Sequence, residues 1–156
     1  MSITIRKATV EDSSIILEMI KGLADYEKLA HYVTNTVEAI EALFFEPNPI
    51  VHCLIAESSS KAVGFAVYLF NYSTFSGKKG LYLEDFFVDP DHRGLGIGQR
   101  IFDALIQIAQ EENCGKMDWV VLDWNQPAMD FYHKYGAKPM KEWINYRLNE
   151  DQLKNS

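Results

Sequence analysis

The sequence predicts a mixed α/β layer fold in which a helix crosses over between two adjacent parallel strands. Three observations lead to that expectation. Strand-like and helix-like runs alternate along the chain. Apolar runs at 81–88 and 117–124 flank a strongly amphipathic stretch at 97–112, as a strand–helix–strand crossover requires. Runs at 51–57 and 62–72 are joined only by the polar turn Ser58-Ser59-Ser60-Lys61, which marks a hairpin and makes the sheet mixed.

Taken in order, residues 2–7 alternate apolar and polar, the period of a half-buried strand. Thr9 reads as a helix N-cap, and Val10, Ile15, Ile16, Met19, Ile20 and Leu23 follow at helical spacing. A second helix is expected from Thr36 to about Phe45, closed by Pro47 and Pro49. The hairpin follows, and then the strand 81–88, which Asp89-Pro90-Asp91 breaks. In the helix 97–112, Ile101, Leu105, Ile108 and Ala109 share one stripe. Residues 117–124 read as a buried strand, with Trp119 and Trp124 supporting the core. Residues 126–135 read as a short helix, with Pro127 in its first turn and Gly136 as its C-cap. A last strand is expected at 138–148, followed by a short frayed tail. No repeat or long linker interrupts the pattern, so a single domain over residues 1–156 is expected.

Composition narrows the function. With 47% hydrophobic and 24% charged residues, the 156-residue chain can bury a core and stay soluble. No run of eighteen apolar residues suggests a membrane span, and the N-terminus lacks the pattern of a secretory signal. Cys53 and Cys114 fit neither a disulfide framework nor a zinc site, so a reduced, cytoplasmic protein is expected. A net charge of -7 disfavours nucleic acid as a partner. It suits a cationic ligand, although acidity also serves solubility alone. His31, His52, His92 and His133 show no metal-ligand spacing, and no metal is expected.

The most specific feature is Asp91-His92-Arg93-Gly94-Leu95-Gly96-Ile97-Gly98, between a strand and a helix. Glycines there let the backbone approach a ligand closely. The first N–H groups of the helix lack intrahelical partners, and the helix dipole adds positive potential. Together they suit a pyrophosphate, to which Arg93 adds a charge-assisted bond. A Walker A loop needs Gly-Lys followed by Ser or Thr, which is absent. The spacing Gly-x-Gly-x-Gly, past mid-chain, also departs from the dinucleotide fingerprint.

Arg93-Gly94-Leu95-Gly96-Ile97-Gly98 resembles the Arg/Gln-x-x-Gly-x-Gly/Ala acetyl-CoA motif of the GNAT N-acetyltransferases. The similarity is closer to the branch holding spermidine/spermine and thialysine N-acetyltransferases. Leu23-Ala24-Asp25-Tyr26-Glu27, Tyr82-Leu83-Glu84-Asp85-Phe86-Phe87-Val88, the glycine loop, and Trp124-Asn125-Gln126-Pro127 leading to Phe131-Tyr132 carry it, in family order and spacing. The resemblance implies a single-domain GNAT fold, with a splayed parallel strand pair in a mixed sheet and helices on both faces. It also implies acetyl-CoA as co-substrate and a homodimer.

Acetyl transfer needs a neutral amine, a polarised thioester carbonyl, a protonated leaving thiolate and two reactants held together. The resemblance assigns these tasks. Backbone groups of Phe86, Phe87 and Val88 pair with the pantetheine arm, and the Val88 N–H polarises the carbonyl. Gly94, Leu95, Gly96, Ile97 and Gly98 join Arg93 in holding the phosphates, and Asn125 contacts coenzyme A. Read locally, Asn125 is also a helix-entry cap. Tyr132 is the candidate general acid, a phenol of ordinary pKa about 10 that can protonate a thiolate; the local sequence reads equally as a core or rim aromatic.

Glu84 and Asp85 point to opposite faces of a strand. By resemblance Glu84 takes the proton of the amine through water, a role suited to a partly buried carboxylate of raised pKa. Asp85 is a second substrate-site residue, and local sequence leaves a cross-strand salt bridge open for either. By resemblance Tyr26 and Glu27 line the substrate channel, where a ring face and a carboxylate both attract a cation; read locally they are a solvated helix end. Lys28, beside them, departs from the polyamine pattern and leaves the particular amine open. The leading expectation is therefore a small-amine acetyltransferase. The rivals are a protein or peptide N-acetyltransferase of the same fold and a non-catalytic acyl-CoA sensor.

Overall fold

Residues 2–155 are described by the computed structural model, which divides into one unit up to Val120 and another from Val121 onward. In the first unit, β1 (Ile3–Lys7) lies where alternation predicts it. It enters α1 (Ser13–Tyr26) through a single 3-10 turn, Val10–Asp12. That turn is pinned electrostatically. Both terminal nitrogens of Arg6 donate to the Asp12 carboxylate, at 2.8 and 2.9 Å, and the Thr9 N–H donates to it at 2.7 Å. The Arg6 guanidinium holds the Asp12 carboxyl below the usual carboxylate range. Arg6 also pairs with Glu57, tying the turn to the neighbouring strand.

The Thr36 hydroxyl caps α2 (Val37–Phe45) by accepting the Ala39 N–H at 3.1 Å. Glu46 leaves the helix for extended backbone because Pro47 disfavours helical geometry before it. Next come β2 (His52–Ser58) and β3 (Lys61–Ser73), joined by Ser59 and Ser60, both with positive φ. A two-residue loop of that hand matches the twist of the strands it connects. β4 (Lys78–Val88) continues the antiparallel meander, α3 (Ile97–Glu111) crosses over, and β5 (Lys116–Asp118) returns parallel to β4. The sheet order is β1-β2-β3-β4-β5.

Helices cover both faces of this sheet. On one, Ile16 and Met19 of α1 and Ile40 of α2 form a cluster with Cys53, Ile55, Phe65, Val67 and Phe87. Burying each such large side chain contributes roughly 1.5–3 kcal/mol. On the other, Ile97, Ile101, Phe102 and Leu105 of α3 are buried, and the Phe102 ring lies 5.8 Å from Phe86 and 5.3 Å from Trp119. Consecutive Phe86 and Phe87 thus serve opposite faces. Gly22 is small because a Cβ there would stand 3.1 Å from the Phe87 ring.

The structure corrects four expectations. The strand expected at 117–124 pairs only as far as Asp118, because Trp119 turns its ring edge onto Phe102 and the chain folds into a turn closed by the Asn125 N–H on the Leu122 carbonyl. Trp124 is about half exposed rather than a core support. In the second unit, α4 (Gln126–Lys134) forms as expected, with Gly136 at positive φ just beyond it. Residues 138–148 form no strand: they are exposed and have no ladder partner among the described residues. Alternation such as Ile144, Tyr146, Leu148 encodes a face to bury, not a partner to pair with. The expected frayed tail is instead α5 (Glu150–Lys154), held by the Asn149 N–H on the Gln152 side chain at 2.8 Å.

Candidate active site

The site begins with an irregularity in β4. Asp85 stands opposite Val67 and Leu83 opposite Tyr68, so Glu84 is an extra residue in the ladder, a β-bulge. On the other edge, β5 pairs only with Gly80, Leu81 and Tyr82. The ladder with β5 ends at Tyr82, opposite the last residue of β5, and residues 83–88 have no β5 partner among the described residues. This ending of the ladder stands where the resemblance implies a splay. It leaves a strand edge on which an extended amide-bearing ligand can form main-chain hydrogen bonds. Phe86, Phe87 and Val88 all lie on it.

The glycine loop follows directly. The Asp89 N–H donates to the Val63 carbonyl at 2.8 Å, anchoring the strand end, and the Asp89 carboxylate accepts the Asp91 N–H at 3.0 Å. Pro90–His92 make a 3-10 turn. Gly94 (φ 81°) and Gly96 (φ 77°) adopt left-handed backbone that other residues enter at a cost of about 1–2 kcal/mol. Gly96 is the N-cap of α3, whose ladder opens with the Arg100 N–H on the Gly96 carbonyl at 3.1 Å. The N–H groups of Ile97 and Gly98 precede that bond, at the positive end of a fifteen-residue helix. The Ile97 side chain is buried in the core, so its backbone alone faces a ligand, whereas Leu95 is about half exposed.

Arg93, though exposed, folds back onto the protein surface. Its Nε donates to the Val88 carbonyl at 3.0 Å, and its guanidinium lies 4.7 Å from the Tyr26 ring centre and 5.7 Å from that of Phe87. Arg93 and Tyr26, which the sequence treats as parts of separate sites, are therefore in contact.

A cleft of about 290 Å³ opens between α1, α2 and the sheet. Ile20, Ala39, Leu43, Phe44 and Val67 give it apolar walls, and Glu84 and Asp85 bring two carboxylates to it. Glu84, the bulged residue, is exposed. Burial, with the charges of Glu84 and Glu27 adding to it, pushes the Asp85 carboxyl up to about 7. Burial also raises Glu27. A carboxylate raised by burial is thus present beside Glu84, at Asp85. The walls from α2 had no signal in the sequence beyond apolar positions that exceed a single core stripe.

In the second unit, Asn125 is buried and its side-chain oxygen accepts the Ala128 N–H at 3.3 Å, capping α4. Tyr132 lies on that helix, half-buried, with its ring 5.7 Å from Phe131 in an edge-on arrangement. Among the described residues, no group of three His, Cys, Asp or Glu side chains is placed to hold a metal ion, and no helix is long and apolar enough to cross a membrane.

A parallel strand pair whose ladder ends beside a glycine-opened helix N-terminus is the arrangement the resemblance to acyl-CoA-dependent transferases implies, and comparison with known proteins agrees. Residues 18–137 match the acetyltransferase (GNAT) family. A thialysine N-epsilon-acetyltransferase of Sus scrofa is 38% identical over 164 residues, covering 98% of this chain and 96% of that protein. The spermidine/spermine N(1)-acetyltransferase-like protein 1 of Homo sapiens is 37% identical over 159 residues, covering 96% of this chain and 23% of that longer protein. An integron cassette protein from the mobile metagenome of V. cholerae superposes with a TM-score of 0.79 at 26% identity, covering 99% of this chain and 97% of that one. The chain belongs to the acetyltransferase (GNAT) family and is an N-acetyltransferase. Enzymes of this family draw on acetyl-CoA, and the edge of β4 beyond its ladder with β5 and the open N-terminus of α3 fit it.

Proposed function

We propose that this enzyme acetylates a primary amine of a small polyamine or diamine-like substrate, of the spermidine/spermine or thialysine type. The observation that carries the reading is the cleft beside the bulged strand: apolar walls that suit an alkyl chain, and the Glu84–Asp85 pair that suits an ammonium group. The relatives' names point to the same class of substrate.

In the proposed reaction the amine nitrogen attacks the thioester carbonyl carbon, the N–C bond forms and the C–S bond breaks. Glu84 accepts the amine proton through water. Asp85, with an ionisation near neutrality, helps hold the cationic substrate and feels the change of charge. The Val88 N–H stabilises the oxyanion, Phe86 and Phe87 hold the pantetheine amides through their backbones, and residues 93–98 bind the pyrophosphate. Asn125 orients coenzyme A, and Tyr132 donates its proton to the departing thiolate. Tyr26 and Glu27 complete the amine channel. We also propose a cytoplasmic homodimer, which light scattering tests directly. The substrate reading is tested by thiol release from acetyl-CoA against a panel of amines, with turnover expected on compounds carrying two or more amino groups.

A further inference from the structure

We propose that Arg93 is a coupling residue: in the free enzyme its guanidinium occupies the Tyr26 ring face that a cationic substrate needs, and the cofactor's pyrophosphate draws it away. The inference rests on the acetyl-CoA and amine reading above and adds a link between the two sites.

Three observations support it. The Arg93 guanidinium sits 4.7 Å from the Tyr26 ring centre and 5.7 Å from that of Phe87, within the range of cation–π attraction. Arg93 belongs to the loop that opens α3, so a phosphate at the helix N-terminus offers it a rival partner. A charged hydrogen bond to phosphate is stronger than a cation–π contact at an exposed site. Arg93 is exposed, so little buried surface is lost when it moves. On the other side, Tyr26 closes α1 and precedes Glu27, whose charge reaches Asp85 in the amine cleft. A ring face released there lies on the acidic side of the site, where an ammonium replaces the guanidinium.

Coupling between two ligands is reciprocal, so coenzyme A and the amine should tighten each other's binding by the same factor. Exchange of one exposed cation–π contact corresponds to about two- to fivefold.

The test is a linkage cycle by titration calorimetry, with thialysine as the amine, with and without saturating coenzyme A. In wild type, coenzyme A should tighten thialysine binding by about two- to fivefold. Arg93→Ala should tighten binding in the absence of coenzyme A and reduce the dependence on it. In a Tyr26→Leu background, Arg93→Ala should no longer have this effect, which separates release of the ring from simple removal of a positive charge. Unchanged or weaker thialysine binding in Arg93→Ala, or a tightening that persists without the Tyr26 ring, overturns the proposal. NMR of the Arg93 side chain reads the same event without an amine. Coenzyme A should remove the ring-current shift of its Hδ protons, and an unmoved signal at saturation overturns the coupling. If thialysine fails to bind in any state while the Arg93 signal moves, the substrate reading fails and only the withdrawal of Arg93 from the Tyr26 ring by the cofactor stands.

Discussion

Glu84 and Asp85 are consecutive, yet the bulge leaves Glu84 exposed and sets Asp85 opposite Val67, half-buried. This division makes their substitutions distinguishable. Asp85 ionises at about 7, above the roughly 3.9 of an unfolded aspartate, so the folded state binds its proton more tightly. The stability linked to that proton is complete below about pH 4 and is lost as pH rises through about 7. Asp85→Asn removes the loss. It should therefore gain stability over wild type as pH rises from 4.5 to 8, by on the order of 2 kcal/mol. Urea unfolding at the two pH values measures the difference, and a constant difference would mean that Asp85 is ionised across the whole range.

Glu84→Gln tests the proton path. With Glu84 as the base acting through water, kcat/KM should fall by about 10²-fold or more and its pH profile should shift. A profile identical to that of wild type would place the base elsewhere, with Asp85 the first residue to examine.

Tyr132→Phe removes one hydroxyl from α4. As the general acid, Tyr132 contributes to kcat, which should drop by about 10²-fold while acetyl-CoA affinity stays within about twofold. An unchanged kcat would reduce Tyr132 to an aromatic packed against Phe131.

At Gly96, no protein atom lies within 4 Å of an added Cβ, so the cost of substitution is conformational rather than steric. Gly96→Ala should destabilise the protein by about 1 kcal/mol and weaken acetyl-CoA binding, because relief of the left-handed strain displaces the first N–H groups of α3. Thermal unfolding and calorimetry measure the two effects. Undiminished cofactor affinity would show that the loop backbone is not part of the phosphate site.

Much of this architecture was legible in the sequence because its signals are local. Thr36 before an apolar helix, Pro47 after it, two serines between alternating runs and two glycines before α3 each report backbone geometry within a few residues. Pairing is not local. The end of β5 at Asp118 depends on Trp119 meeting Phe102, and nothing near residues 138–148 shows whether a ladder partner exists. The same limit applies to the site. Glu84 and Asp85 read as an alternating pair, and only the register against Val67 and Tyr68 reveals which of them is buried. The contact of Arg93 with Tyr26 joins positions 67 residues apart, and no spacing rule connects them.

The most direct test is thiol release from acetyl-CoA with spermidine, spermine, putrescine, thialysine, lysine and a short peptide as acceptors. Turnover with the polyamines or thialysine, well above that with the peptide, is the predicted result, and the favoured amine identifies the branch. Turnover with the peptide alone, or acetyl-CoA bound without turnover of any acceptor, would contradict a small-amine acetyltransferase.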